Sequence, residues 1–300
     1  MTTVAPKSAS RTVAFLWVLV AYAVAGAVAL GVGWSVGARH PLVVAGVADL
    51  VGTVVIFGFA VRFDNSSFYD PYWSVAPIAL VIYFTVVAGD GVGLRAAVVI
   101  GLVGLWGLRL TYNWARGWTG LGHEDWRYRD IRRWSGRYYW PASFVTIMVL
   151  PTVLVFGGCL SAWAALDARA LARPFGVVDV VAALVTGLAI FYEATADRHL
   201  RRFVRSRPGP EAILDTGLWA YSRHPNYFGE VLFWWGLFLF VLAATPGRWW
   251  VVGGPVAITA LFLFVSIPLI ERRMVARRPG YTERRARVSR IVPWPPRRPG

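Results

Sequence analysis

TVAFLWVLVAYAVAGAVALGVGW, residues 12–34, runs for 23 residues without a charged side chain. Coiled as a helix rising about 1.5 Å per residue, such a run crosses the roughly 30 Å hydrocarbon layer of a bilayer. Seven further apolar runs follow, near 42–61, 71–89, 92–110, 141–165, 175–195, 226–244 and 249–270. Inside lipid every backbone N–H and C=O must be satisfied within its own segment, so repeated runs of this length predict helices. The expected fold is all-α, a polytopic transmembrane helical bundle of about eight spans forming one membrane domain over 1–300. The first run follows Lys7 and Arg11 and lacks a small-residue cleavage site before more polar sequence, so it reads as a retained helix and not a signal peptide.

At 57% hydrophobic residues and a mean hydropathy of +0.52, the chain is more apolar than one soluble core requires. The net charge of +15, with Arg as 30 of the 31 basic residues, raises nucleic acid as a partner, but the arginines flank the apolar runs and no nucleic acid is expected. With a cytoplasmic N-terminus, 26 of the 31 basic residues fall on the inner side, the asymmetry expected of inner loops. An Arg-rich, Lys-poor composition is what a GC-rich bacterial genome tends to encode, so the expected location is a bacterial inner membrane with both termini cytoplasmic. The single cysteine, Cys159, rules out an internal disulfide. His40, His123, His199 and His224 lack metal-ligand spacing, and no metal is expected.

Orientation explains the arginines but not the amides, carboxylates and aromatics among them. GLWAYSRHPNYFGE, residues 217–230, enters the seventh span. Pro225 suits a first helical position, Asn226 and Glu230 share a helix face, and Tyr221, Arg223 and His224 surround a helix N-terminus able to take an anion. Glu193, Asp197 and Arg201 recur every four residues at the end of the sixth span. Arg109, Asn113 and Arg116 line one face as the fourth span ends. Glu271 opens ERR, followed by RRPGYTERRAR at 277–287, with Tyr281 inside it. Each cluster has a plainer reading as an ion-paired network, a snorkelling arginine or an anchoring basic stretch. A ligand with several phosphates accounts for all four together.

RGWTGLGHEDWRYRDIRRWSGRYYW, residues 116–140, reads as an interfacial helix or ordered loop. VPWPPRRPG at the end reads as an extended tail that frays. GVGLRA, 91–96, matches a dinucleotide fingerprint only by its letters, and Asn65-Ser66-Ser67 is a sequon in an inner loop. Asp70 begins the third run in FYDPYWSVAP. Two readings stand for it, a helix N-cap before Pro71 or an acid that donates a hydrogen bond or proton to a carbonyl.

TGLWAYSRHPNYFGE, with EDWRYRD, the charged end of the sixth span and the ERR…RRPGY tail, resembles the membrane reductases that include the steroid 5α-reductases and their uncharacterised bacterial relatives. The likeness covers most of the chain from Asp70 onward. The R-H-P-x-Y-x-G-E core also recurs in isoprenylcysteine carboxyl methyltransferases and phospholipid methyltransferases. The resemblance implies a seven-helix reductase core plus one N-terminal helix. Residues 1–61 would then add N-terminal helices and start the bundle, 62–270 would form the core, and the basic tail 271–300 would close the cofactor site. It implies NADPH held by Asp197, Arg201, Tyr221, Asn226 and Glu230, joined by Arg109, Asn113, Arg116, Arg223, His224, Glu271 and Tyr281. It implies a lipophilic enone as substrate and membrane lipid as surroundings; a monomer is the expected form, though sequence does not fix oligomeric state. The family polarises the carbonyl with a carboxyl and a tyrosine. Asp70 stands for that carboxyl, the Q-E-L-P-S stretch of the steroid enzymes being absent, and with Trp106 near the tyrosine's expected place, Tyr72 or Tyr112 substitutes.

The expected function is therefore NADPH-dependent reduction of a conjugated carbon–carbon double bond in a lipophilic ketone, steroid-like or isoprenoid. A methyltransferase using S-adenosylmethionine is the alternative enzyme, and its cofactor, a cation without phosphate, needs fewer arginines. A non-catalytic lipid transporter is the third reading, though the paired interrupted helices of a repeated fold are not apparent.

Overall fold

The computed structural model describes residues 9–37, 39–89 and 93–297. Lys7, the first two residues of GVGLRA and the last three of the Pro-rich tail lie outside the described residues. Among the described residues, eight helices are long and apolar enough to cross a membrane. The protein is an all-α integral membrane protein. Its residues group into two compact units, one made of 1–92 and 103–159, the other of 93–102 and 160–300.

In the first unit, α1 (Arg11–Val36) packs along α2 (Pro41–Arg62). Ser10 caps α1 by accepting from the Val13 N–H, and Arg11 donates to the carbonyls of Ala115 and Trp118. A short 3-10 turn, Ser66–Phe68, leads to α3 (Tyr72–Ala88) and then α4 (Leu94–Gly117), which belongs to this unit from Val103 on. Gly107 on α4 meets α3 at backbone distance, for a Cβ there would lie 2.3 Å from the Ser74 carbonyl oxygen. After a loop come α5 (Trp126–Ser135), α6 (Tyr139–Ser143), a π turn at Phe144–Val149 and α7 (Leu150–Leu166), which belongs to this unit as far as Cys159. Phe63, Phe68, Tyr69, Trp118, Ile147 and Met148 form the buried centre of this unit.

The second unit holds α8 (Ala168–Leu171), α9 (Val177–Arg205), α10 (Pro225–Ala244), α11 (Gly253–Leu261), a π turn at Phe262–Ser266, α12 (Ile267–Arg277) and α13 (Tyr281–Arg287). α9 and α10 touch along glycines, as helices in lipid do when packing is their main attraction. A Cβ on Gly236 would sit 2.3 Å from Thr186 Oγ1 and 3.0 Å from its Cα. Gly236→Ala is expected to cost about 1–3 kcal/mol by overpacking, read as a lower melting temperature in detergent. At the first turn of α9, buried Arg95 grips Asp179 through two bonds of 2.7 and 2.9 Å. It also donates to the carbonyls of Ala170, Arg173 and Pro174, so this charge is satisfied without water.

Several helices outrun the apolar sequence that predicts them. α4 continues to Gly117 and α9 to Arg205; in α9 the Ala, Leu and Arg of ADRHLRRFVR are good helix formers that carry the helix past the point where lipid stops requiring it. The tail at 292–297 is pinned where the sequence predicts fraying. Trp294 N–H donates to the Tyr221 carbonyl at 3.0 Å and Arg297 N–H to the Arg287 carbonyl at 2.9 Å.

Candidate functional site

In the second unit, α10 begins at Pro225 after His224, and no side chain caps it. Pro225 has no N–H to satisfy, while the following N–H groups point out of the helix start as a positive dipole end. A buried network holds this helix end. Arg223 donates through Nε to Glu271 Oε1 at 2.7 Å and through Nη1 to the carbonyls of Arg285 and Val288, each at 2.7 Å. His224 Nε2 lies 3.2 Å from the same Glu271 oxygen, and Arg285 Nε lies 3.3 Å from Glu271 Oε2. Ser222 Oγ donates to the Ile291 carbonyl and accepts from the His224 N–H. Arg284 donates to the Trp219 carbonyl. The RHP segment is thus strapped down by the C-terminal tail, and Arg223, His224 and Glu271 are largely engaged in that strap.

The rest of the expected set lies outside that strap. Tyr221 is exposed. Asn226 is half-buried with its Nδ2 3.5 Å from Asp197 Oδ1, and Arg201 is half-buried one turn further along α9. Glu230 is buried and accepts from Trp234 Nε1 at 2.9 Å. Tyr281 is buried too. Burial first, and the Glu271 carboxylate second, push its hydroxyl up to about 12, so it stays neutral and able to donate.

Burial pushes the His224 imidazole below its usual value, and the hydrogen bond with Glu271 only partly opposes this. A histidine that binds its proton less readily folded than unfolded contributes stability above its unfolded value, about 6.5, and loses it as pH falls below that. The melting temperature is expected to drop between neutral and mildly acidic buffer, and His224→Gln is expected to flatten part of that drop.

In the first unit, Asp70 lies just before α3 and accepts from the buried Tyr128 hydroxyl of α5 at 2.5 Å. Asp125 caps α5 by accepting from the Arg127 N–H at 2.8 Å. Burial alone would raise the Asp125 carboxyl, but the Arg127 guanidinium prevails and holds it below the usual range. Around this pair the 64–68 turn is knit to the 120–125 loop. Asn65 Nδ2 donates to the carbonyls of Leu121 and His123 at 2.8 and 2.9 Å, and Glu124 accepts from the Ser66 N–H and the Tyr139 hydroxyl. Arg132 bridges Asp64 and Glu124 over the Tyr139 ring. Asn65 is a clamp between two loops in this fold.

The structure gives Asp70 a tyrosine that sequence reading did not single out. Tyr72 instead donates to Asp49 of α2, through Oδ1 at 2.9 Å and the carbonyl at 2.7 Å. Tyr112 is exposed, its ring carrying the Arg116 guanidinium at 5.1 Å. Arg109 and Asn113 are half-buried on the same helix. Tyr128 was visible inside EDWRYRD, and Asp49 as a lone carboxyl in an apolar run, but nothing in one dimension paired them.

Residues 56–288 match a family described as a protein of unknown function, DUF1295. The chain is 26% identical over 280 residues to an uncharacterised protein of Schizosaccharomyces pombe, covering 85% of this chain and 80% of that one. No solved structure matches it. With most of its length matched, the chain belongs to the DUF1295 family.

Proposed function

We propose that this DUF1295 member is a membrane reductase that uses NADPH to saturate the conjugated double bond of a lipophilic ketone, steroid-like or isoprenoid. The observation that carries this reading is the uncapped start of α10, held rigid by Arg223 and Glu271. Free N–H groups at a helix N-terminus suit a phosphate, and Tyr221, Asn226, Asp197 and Arg201 surround it with hydroxyl, amide, carboxylate and guanidinium. The donor set thus fits a phosphorylated nucleotide. Arg109, Asn113 and Arg116 are the further cofactor-holding groups that the family resemblance implies. When bound, NADPH supplies the hydride.

The chain's own groups do the rest. Arg223, His224 and Glu271 position the α10 start. Asp70 donates a hydrogen bond and then its proton to the ketone oxygen, drawing charge away from the double bond, so that the product forms as an enol that tautomerises to the saturated ketone, and Tyr128 orients that carboxyl. Glu230 is fixed by Trp234 and shapes the wall of α10. The seat is an inner membrane with both termini cytoplasmic, where NADPH is available, and the working form is a monomer.

The test is NADPH oxidation by the purified protein in detergent against cholestenone and isoprenoid enones, with mass spectrometry of any co-purified small molecule. Recovery of S-adenosylmethionine or its homocysteine product would overturn the reductase reading in favour of methyl transfer. Asn226→Ala is expected to weaken NADPH binding about tenfold, the worth of one hydrogen bond to a charged group, with the melting temperature unchanged. Equal affinity in the variant removes the α10 start from the cofactor site.

A further inference from the structure

Between the end of α2 and the start of α5, both in membrane-crossing segments, the first unit holds a cavity of about 290 Å³. Asp64, Asn65, His123, Glu124, Arg129 and Arg132 line it. None of them belongs to the groups proposed to hold NADPH or to the Asp70–Tyr128 pair. The Glu124 side chain is only 12% exposed, yet half of its carboxylate is unserved. Its Oε1 takes all three donors, the Ser66 N–H at 2.9 Å, the Tyr139 hydroxyl at 3.0 Å and Arg132 Nη2 at 3.4 Å. Oε2 has no hydrogen bond among the described residues, although polar atoms so far from water are normally partnered. Arg129 presents the opposite sign. It is exposed, and its guanidinium makes no hydrogen bond or ion pair among the described residues, with Glu124 or any other group.

We infer that this cavity seats the headgroup of an ethanolamine phospholipid, with the ammonium on Glu124 and Asp64 and the phosphate on Arg129. The charges of the lining decide among ligands. Two guanidiniums face two carboxylates, so a simple anion would meet Asp64 and Glu124 and a simple cation would meet Arg129 and Arg132. A zwitterion answers both signs at once. An ammonium brings three N–H donors to a carboxylate oxygen that lacks one, and a guanidinium suits phosphate. A trimethylated ammonium has no N–H to give. The cavity lies at the small end of ligand pockets, roughly 300–1,000 Å³, which suits a headgroup better than a dinucleotide. Its position favours a lipid over a soluble phosphoethanolamine. Asp64 lies two residues past the end of α2, and the exposed Val61, Trp134 and Tyr138 mark the level where these spans leave lipid. The inference rests on the membrane placement of the helices and not on the reductase reading.

The experiment titrates the full-length protein in detergent with dioleoyl phosphatidylethanolamine, phosphatidylglycerol and phosphatidylcholine, and reads bound lipid by native mass spectrometry. Phosphatidylethanolamine is expected to bind at least about fivefold more tightly than either other lipid. Arg129→Gln is expected to weaken it about tenfold, the worth of a hydrogen bond to a charged group. The melting temperature should not move, because Arg129 holds no other residue. Asp64 has a left-handed backbone, φ 50°, that asparagine also adopts. Asp64→Asn is therefore expected to keep the fold, weaken phosphatidylethanolamine and strengthen phosphatidylglycerol. Glycerophosphoethanolamine, which carries the headgroup without acyl chains, is expected to leave the lipid bound at about hundredfold excess. Three lipids bound equally by wild type, or a folded Arg129→Gln with unchanged phosphatidylethanolamine affinity, overturns the inference. Phosphatidylglycerol bound best would make the region a basic membrane belt only, and displacement by equimolar glycerophosphoethanolamine would give the cavity to a soluble ligand; either also overturns it. No NADPH or enone is present, so failure here leaves the reductase reading untouched.

Discussion

Glu271→Ala is expected to destabilise the protein by about 3–5 kcal/mol, the range for removing one partner of a buried ion pair. The loss is large because three donors converge on one carboxylate. Arg223, only 8% exposed, would keep its two backbone acceptors but lose its counter-charge. His224 and Arg285 would lose theirs as well. Since Arg223 also holds the carbonyls of Arg285 and Val288, loosening it should free the tail. Thermal unfolding in detergent reads the first effect, and trypsin cleavage among the arginines of 284–297 reads the second. Glu271→Gln keeps the volume and one acceptor oxygen, so its loss should be clearly smaller. A Glu271→Ala protein that melts with wild type and keeps its tail protected would show that this carboxylate is no structural centre.

How far this fold and site could be read from sequence depends on the range of the forces involved. Lipid acts on each residue locally, so the spans show as uninterrupted apolar runs, and all eight lie where the runs place them. Helix ends are less legible. α4 passes Arg109 by two turns, through residues whose own propensity does not announce a helix. The polar contacts are long-range. Tyr128 and Asp70 are 58 residues apart, Arg223 and Glu271 are 48 apart, and Tyr72 reaches 23 residues back to Asp49. Residue types in GLWAYSRHPNYFGE pointed to a polar centre at the start of α10, yet could not divide its members into those that hold the tail and those that do not. Tyr72 and Tyr112 stand in for the family's tyrosine in sequence because Trp106 falls near its expected place. Packing set Tyr72 on α2 and turned Tyr112 outward.

That division between tyrosines sets the sharpest expectation for the chemistry. Asp70→Asn is expected to lower turnover about 10²–10⁴-fold, the usual contribution of a positioned acid, with NADPH affinity unchanged. The substitution is nearly isosteric and keeps an acceptor for the Tyr128 hydroxyl, so the fold should persist and the loss should fall on kcat and not on KM for NADPH. Tyr128→Phe removes one 2.5 Å hydrogen bond and leaves the carboxyl in place but less well oriented, so a loss of about tenfold is expected. Tyr112→Phe serves as the contrast. Its hydroxyl is on an exposed side chain, and turnover should stay within about twofold of wild type, the range of surface changes. Each variant is to be compared at saturating NADPH and enone, with single-turnover measurements to separate chemistry from product release. If Asp70→Asn turns over within threefold of wild type while Tyr112→Phe is crippled, the acid is not Asp70 and the tyrosine facing outward on α4 takes the role assigned to Tyr128.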